Sequence, residues 1–289
     1  MRAAQADPHH PACAQAAADL AGSPVPITDE EFAGFQRFIF EEAGISLSSS
    51  KKALVGGRLA KRLRQHRLSC YSDYLRLLRC DSASGELQVA IDLLTTNETY
   101  FFREPKHFEV LREEALQARH AGRPLRAWSA ACSSGEEAYS IAMVLADAMS
   151  EHGWDVLGTD ISSRVLERAR IGHYALGRAQ HIPRDYLRRF CLKGIDAQDG
   201  TMLIERGLRQ RVQFMHLNLN APLPQLGSFD VIFLRNVLIY FSAQTKRQVV
   251  ARVLAQLRPG GLFCIGHSES LHDITRAVVQ LSPAVYRKS

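Results

Sequence analysis

Six small residues, Ala130-Ala-Cys-Ser-Ser-Gly135, follow the apolar run that ends near Trp128, and Glu136 and Glu137 then open an apolar-periodic helix. Small residues between a strand and a helix let a ligand lie against bare backbone, where the first helical amides point outward. The loop lacks a full G-x-G-x-x-G, and its two carboxylates stand where a pyrophosphate needs positive potential. A cationic, hydroxyl-bearing ligand fits better. S-adenosylmethionine, with its ammonium, sulfonium and ribose hydroxyls, answers that description.

Other polar residues recur where strands should end. Asp160 closes Asp155-Val-Leu-Gly-Thr-Asp160, 25 residues after Gly135, where an acid reaches the two hydroxyls of a ribose or caps the following helix. Asn218-Leu219 and Arg235-Asn236 follow two further apolar runs. Cys132 reads as a small side chain tolerated near a ligand rather than a nucleophile. Asp230, inside Phe229-Asp-Val-Ile, reads as an acid bonding backbone at a strand start. His267-Ser-Glu269-Ser has no G-x-S-x-G elbow beside it, so it reads as loop polarity or a substrate-edge contact.

These positions need a scaffold that brings strand ends together. From Leu125 the pattern alternates between strands (125–129, 154–159, 212–217, 229–234, 261–266, 277–286) and helices (136–149, 162–170, 243–257). That is a doubly wound α/β fold, in which ligands lie beyond the carboxyl ends of the strands. Gly260-Gly261 after Pro259 marks a helix stop and turn. Residues 172–211 break the repeat and suggest short antiparallel strands inserted on the main sheet.

Ahead of this lies a helical stretch. Thr28-Asp-Glu-Glu31 has capping-box form, Phe32, Phe35 and Ile39 follow at helical spacing, and Gly44 ends the run. Ser48 to Ser50 can cap a second helix, on which Val55, Leu59 and Leu63 face a core and Arg58, Lys61 and Arg62 share a neighbouring stripe. Gly56-Gly57 weakens that helix, so packing must hold it. Two more helices fit Tyr71 to Leu78 and Leu87 to Leu94. The expected domains are a disordered tail over 1–26, a helical domain over 27–95, a linker and helix over 96–120 with Pro105 in the first turn, and the α/β domain over 121–289.

The net charge is +6, yet residues 51–67 alone carry seven basic residues and no acid; +6 minus +7 leaves −1 elsewhere. An acidic partner for the second helix follows. Six cysteines are scattered without a C-x-x-C pair, which points away from zinc and disulfide frameworks and toward a reducing, cytoplasmic setting. His9-His10 is too slight a signal for a metal site. No run approaches the ~20 apolar residues of a membrane helix, and the first twenty residues do not form a secretory signal.

Taken together, Thr95-Thr-Asn-Glu-Thr-Tyr-Phe-Phe-Arg-Glu104, Trp128-Ser-Ala-Ala-Cys-Ser-Ser-Gly-Glu-Glu137, Asp160-Ile-Ser162, Arg235-Asn-Val-Leu-Ile-Tyr-Phe241 and Gly266-His-Ser-Glu269 resemble the chemotaxis receptor methyltransferases, protein-glutamate O-methyltransferases of the CheR type. The likeness runs in order from about residue 28 to the end. It implies a helical N-terminal domain, a class I methyltransferase (Rossmann-like) domain and a small antiparallel β-subdomain inserted in it. It implies S-adenosylmethionine as cofactor, S-adenosylhomocysteine as product, and cofactor contacts from Asn97, Thr99, Arg103, Glu136, Asp160, Asn218, Leu219, Arg235 and Asn236. The alignment favours Glu136 over Glu137. It implies that the basic helix, with Arg58, Lys61 and Arg62, docks on the acidic methylation helices of a receptor's cytoplasmic part. Members that tether to a receptor's C-terminal pentapeptide often have a Gly-x-Gly turn in the inserted sheet; here the place reads Gly194-Ile195-Asp196, which counts against tethering.

A glutamate carboxylate is already ionised at neutral pH, with an unperturbed pKa of about 4.3, so methylating it needs no general base. The expected work is alignment, with Arg103 orienting a carboxylate of cofactor or substrate; a salt bridge joining the domains is its plainer role. No metal is expected. Two other functions use the same scaffold: a nucleic-acid methyltransferase, against which the missing N/D-P-P-Y/F block and Pro-Cys loop argue, and a non-catalytic S-adenosylmethionine-binding regulator.

Overall fold

The structure, a computed structural model, describes residues 26–80, 84–150 and 153–289. All but the last residue of the expected tail over 1–26, His9 and His10 included, lies outside the described residues. The chain divides into two compact units, one ending at Thr95 and one running from Thr96 to Ser289.

The first unit is all helical: α1 (Asp29–Ala43), a 3-10 turn at Ser49–Lys51, α2 (Lys52–Gln65), α3 (Tyr71–Leu78) and α4 (Ser84–Leu94). Thr28 and Glu31 close a full capping box at the start of α1, and Gly44 ends it with φ 71. The expected Ser48–Ser50 cap is instead the 3-10 turn, and no side chain caps it. Phe35, Ile39, Leu59, Tyr71 and Tyr74 are fully buried and form the core, each worth about 1.5–3 kcal/mol of apolar transfer for an aliphatic or phenyl side chain. Packing explains half of the Gly56-Gly57 pair. A Cβ on Gly56 would come 3.1 Å from Ile27, and the Gly56 carbonyl accepts the Tyr71 hydroxyl at 2.8 Å, whereas Gly57 faces open space.

The second unit opens with α5 (Lys106–His120) and then winds a seven-stranded sheet in the order β6-β2-β1-β7-β8-β10-β9. The strands are β1 (Leu125–Ala130), β2 (Trp154–Asp160), β6 (Val212–His216), β7 (Phe229–Leu234), β8 (Leu257–Ile265), β9 (Val278–Ser282) and β10 (Val285–Lys288). The first five are mutually parallel, and β10 and β9 close the sheet antiparallel. Crossover helices α6 (Glu136–Met149), α7 (Ser163–Ile171) and α10 (Ala243–Ala255) flank it. Between α7 and β6 lies a three-stranded antiparallel sheet of order β3-β5-β4, from β3 (His173–Ala175), β4 (Cys191–Lys193) and β5 (Thr201–Ile204), with α8 (Arg184–Phe190) and α9 (Arg206–Gln210) beside it.

Two sequence expectations need correction. The run 277–286 is not one strand but a hairpin, because the chain reverses at Ser282-Pro283-Ala284, where Ala284 takes φ 62. Pro259-Gly260-Gly261 is not a connecting turn. It lies inside β8 as an irregularity: Phe229 pairs with Leu257 and Val231 with Leu262, so the extra residues are absorbed as a bulge.

Candidate active site

The sheet order reverses between β1 and β7, and their carboxyl ends open on the same side as those of β2, β6 and β8. The loop after β1 is shaped by left-handed residues, with Ala131 at φ 83, Ser133 at φ 50 and Gly135 at φ 94. Only glycine fits the last position, since a Cβ there would sit 2.8 Å from that of Ala169.

This loop gathers the acidic residues. Asp160, buried at the end of β2, accepts from the Ser133 amide and the Ser162 amide, each at 2.9 Å. It therefore joins two strand-end loops as well as serving the start of α7. The Ser133 hydroxyl donates to the Asn97 carbonyl at 2.8 Å, clipping the 97–103 segment to the same loop. Glu136 is fully buried at the first position of α6 and accepts from the Ser134 hydroxyl at 2.7 Å and Arg178 Nε at 2.7 Å. Arg178 also donates to the Thr99 carbonyl at 2.7 Å. The Cys132 thiol is pushed well above the ordinary thiol range by burial and then by Asp160, which suits a packing role and not a nucleophile.

A second cluster stands at the end of β7. The Arg235 side chain, 1% exposed, donates to Glu137 at 2.7 Å, pairs with Glu104 at 3.0 Å and reaches the Arg103 carbonyl. Glu137 also accepts the Ser129 hydroxyl at 2.6 Å. Asn236, at φ 58, points its amide to Glu104 at 3.4 Å, while its backbone amide donates to Glu269 at 2.9 Å. Glu269 accepts from Gly266 N at 2.6 Å as well, so it staples the loop after β8 to the loop after β7. Its neighbourhood is closed: a Cβ on Gly266 would lie 2.4 Å from the Asn236 amide.

The remaining sequence-derived residues fall in different settings. The Arg103 guanidinium donates to the Glu98 carbonyl at 3.2 Å and lies 5.6 Å from the Tyr100 ring centre. Asn218 accepts from Asn220 N at 2.9 Å in a turn after β6, and buried Leu219 follows it; Leu217 N bonds the Asp160 carbonyl at 2.9 Å, which seats this turn beside β2. Arg58, Lys61 and Arg62 belong to the helical unit. Arg58 donates to the Leu93 and Thr95 carbonyls, each at 3.0 Å, and so caps α4; Arg62 pairs with Glu86, which also takes the Tyr74 hydroxyl at 2.6 Å. Lys61 is exposed, as are Arg64 and Arg67.

Sequence reasoning did not find the bonds of Glu104 and Arg178, the burial of His107, or the stapling role of Glu269. Their partners are far away in the chain, and the only signal was that Glu104 and Glu269 close two of the quoted blocks. Among the described residues, ligand atoms of Glu104, His107 and His267 lie within 4.8 Å of one another. Arg235 already supplies the cation there. His107 is wholly buried, and burial, then Arg235, pushes its imidazole down to about 3.

The donor set suits the group expected from sequence. Two buried carboxylates, Glu136 (beside Arg178) and Asp160, stand at the ends of β1 and β2, a setting that suits a hydroxyl-bearing, cationic group and repels phosphate. Residues 97–286 match the family model for the CheR methyltransferase SAM-binding domain, and residues 30–95 match that for the CheR methyltransferase all-alpha domain. The chain belongs to the CheR methyltransferase family. It is 40% identical over 262 residues to chemotaxis protein methyltransferase 2 of Pseudomonas aeruginosa, covering 90% of this chain and 93% of that one. It is 38% identical over 266 residues to the chemotaxis protein methyltransferase of Escherichia coli, covering 91% and 92%. This CheR methyltransferase is thus an enzyme that uses S-adenosylmethionine to methylate in chemotaxis. The nucleic-acid and non-catalytic alternatives are not favoured by these relatives. Among the described residues no helix is long and apolar enough to cross a membrane.

Proposed function

We propose that this enzyme, working in the cytoplasm, methylates glutamate side-chain carboxylates on the methylation helices of chemoreceptors, giving γ-methyl esters in sensory adaptation. The observation that carries the reading is the state of Arg103. Its guanidinium is engaged by a carbonyl and an aromatic ring, and no carboxylate of the described residues pairs with it, so its remaining donors suit an incoming carboxylate.

S-adenosylmethionine, when bound, supplies a methyl group activated on a sulfonium. In this reading Glu136 receives its ammonium and Asp160 its ribose hydroxyls, with Asn97, Thr99, Asn218, Leu219, Arg235 and Asn236 completing the walls. The substrate carboxylate arrives ionised, so no side chain need remove a proton. Arg103 orients a carboxylate, and fixing such geometry contributes roughly 7–11 kcal/mol in favourable cases.

Receptor capture falls to the exposed part of α2. Since Arg58 and Arg62 are held by neighbours, Lys61 and Arg64 on α2, with Arg67 just beyond its end, supply the exposed positive face. The pentapeptide tether is not part of this proposal. Asp196 takes φ 49, a left-handed backbone that a glycine would adopt without strain.

Incubating the purified enzyme with receptor-containing membranes and labelled cofactor should give glutamyl peptides heavier by one methyl group, and mild alkali should release labelled methanol. Label that stays bound in alkali, or appears on RNA instead, refutes the reading.

A further inference from the structure

The inserted sheet begins with a stretch that grips the 97–103 segment at three successive residues. Arg178 donates to the Thr99 carbonyl at 2.7 Å, the His181 ring lies 4.9 Å from that of Tyr100, and the Tyr174 ring meets Phe101 edge-on at 5.1 Å. The same stretch also grips the start of α6. The Tyr174 hydroxyl donates to the Ser134 carbonyl at 2.7 Å, and Arg178 Nε donates to Glu136 at 2.7 Å. Thr99 and Glu136 are thus held in register by one guanidinium that belongs to neither of their elements.

We propose that Arg178 is a positioning residue for the cofactor, and that through it the inserted three-stranded sheet and the cofactor site are energetically coupled. This rests on the reading of Glu136 and the 97–103 segment as cofactor contacts. The physical reason is the fork of arginine. Two separate donors fix the distance between a buried carboxylate and a backbone carbonyl, which a single point charge cannot do. Glu136 is fully buried while the Arg178 side chain is 42% exposed, so the arginine can be released to solvent while the acid cannot follow it. Whatever orders residues 173–181 then orders the cofactor walls, and a bound cofactor orders residues 173–181 by the same amount.

The test uses the full chain, with S-adenosylhomocysteine as calorimetric probe and Arg178→Ala, Arg178→Lys and Glu136→Gln as variants. Arg178→Ala should bind roughly tenfold more weakly, within the range usual for coupled sites. It should raise KM for S-adenosylmethionine while leaving kcat within about twofold, because it does not touch the reacting atoms. Arg178→Lys should recover only part of the affinity. Hydrogen exchange should show residues 173–181 protected by the ligand in the wild type and not in Arg178→Ala. If Arg178→Ala proves poorly folded, Arg178→Gln carries the same comparison. Wild-type affinity and protection in the Arg178 variants, with Glu136→Gln weakened, overturn the coupling alone. Wild-type affinity in all variants overturns both the coupling and the assignment beneath it.

Discussion

Arg235 and Glu137 meet at 2.7 Å, the arginine at the end of β7 and the glutamate in the first turn of α6, and the same guanidinium holds Glu104 at 3.0 Å. A buried cation between two acids is costly to break from one side, because the acids left behind have lost their water. Arg235→Ala should therefore cost about 3–5 kcal/mol of stability, read as a lower urea midpoint with an unchanged slope. Arg235→Lys should fall between, since it keeps the charge and loses the fork. A neutral Arg235→Ala would show that the pair is not the tie it forms in the structure.

Asp160→Asn should weaken ligand binding and also cost about 1–3 kcal/mol of stability, since one buried amide loses its acceptor. The amide oxygen can still accept one of the two backbone donors, from Ser133 or Ser162. The charged acceptor for ribose hydroxyls is lost, and bonds to charged groups are worth about 1.5–3 kcal/mol. Calorimetry should then show affinity for S-adenosylhomocysteine reduced roughly ten- to a hundredfold. Undiminished affinity would remove Asp160 from the site.

On α2, adjacent basic residues should behave oppositely. Lys61→Glu should slow methylation at low receptor concentration and flatten its dependence on salt, leaving cofactor affinity and melting temperature unchanged. Arg62→Ala should instead leave Glu86 with Tyr74 and His66 alone and destabilise the helical unit by about 1.5–3 kcal/mol, visible in thermal melting. Salt-insensitive receptor kinetics in the wild type would defeat the docking idea.

Acid should weaken the second unit early. Burial works against ionisation of Glu104, but Arg235 outweighs it and holds the carboxyl below its ordinary value; burial, then Arg235, pushes His107 from 6.5 to about 3. The unfolded chain therefore takes up protons that the folded one refuses. The His107 contribution is complete above pH 6.5 and drains away as pH falls toward 3; that of Glu104 is complete above its ordinary value near 4.5 and goes as pH falls through the lowered one. His107→Phe should flatten the drop in melting temperature between pH 6.5 and 4.5. An equally steep drop in that variant would mean other groups carry it.

Much of the scaffold could be read from residue pattern alone. The helix over 136–149 emerged at its predicted bounds because Gly135 and two acids mark its start and an apolar stripe runs its length. The α1 capping box and the five parallel strands were equally plain. The β9–β10 hairpin was missed because its turn is built on Pro283 and an Ala284 at positive φ, with no Gly or Asn to announce it. The Pro-Gly-Gly of β8 misled because a bulge and a turn use the same residues. At the strand ends, the positions of Asp160, Asn218 and Asn236 were legible from topology. The bonds of Arg178, Glu104 and Glu269 were not, since each joins loops brought together only by the folded sheet. Likewise a basic stripe on α2 could be seen, but not that Arg58 and Arg62 are spent on α4.

Phe102, Glu104, Ala131, Ser133 and Asn236 all carry side chains in left-handed backbone, a conformation that costs a non-glycine residue about 1–2 kcal/mol. Anyone hardening this protein by relaxing that rim would meet a conflict. Ala131→Gly should raise the melting point by relieving its torsion, yet it loosens the loop whose Ser133 amide binds Asp160. The rim is thus a place where durability and chemistry pull apart, and where selection for heat resistance would be expected to erode turnover.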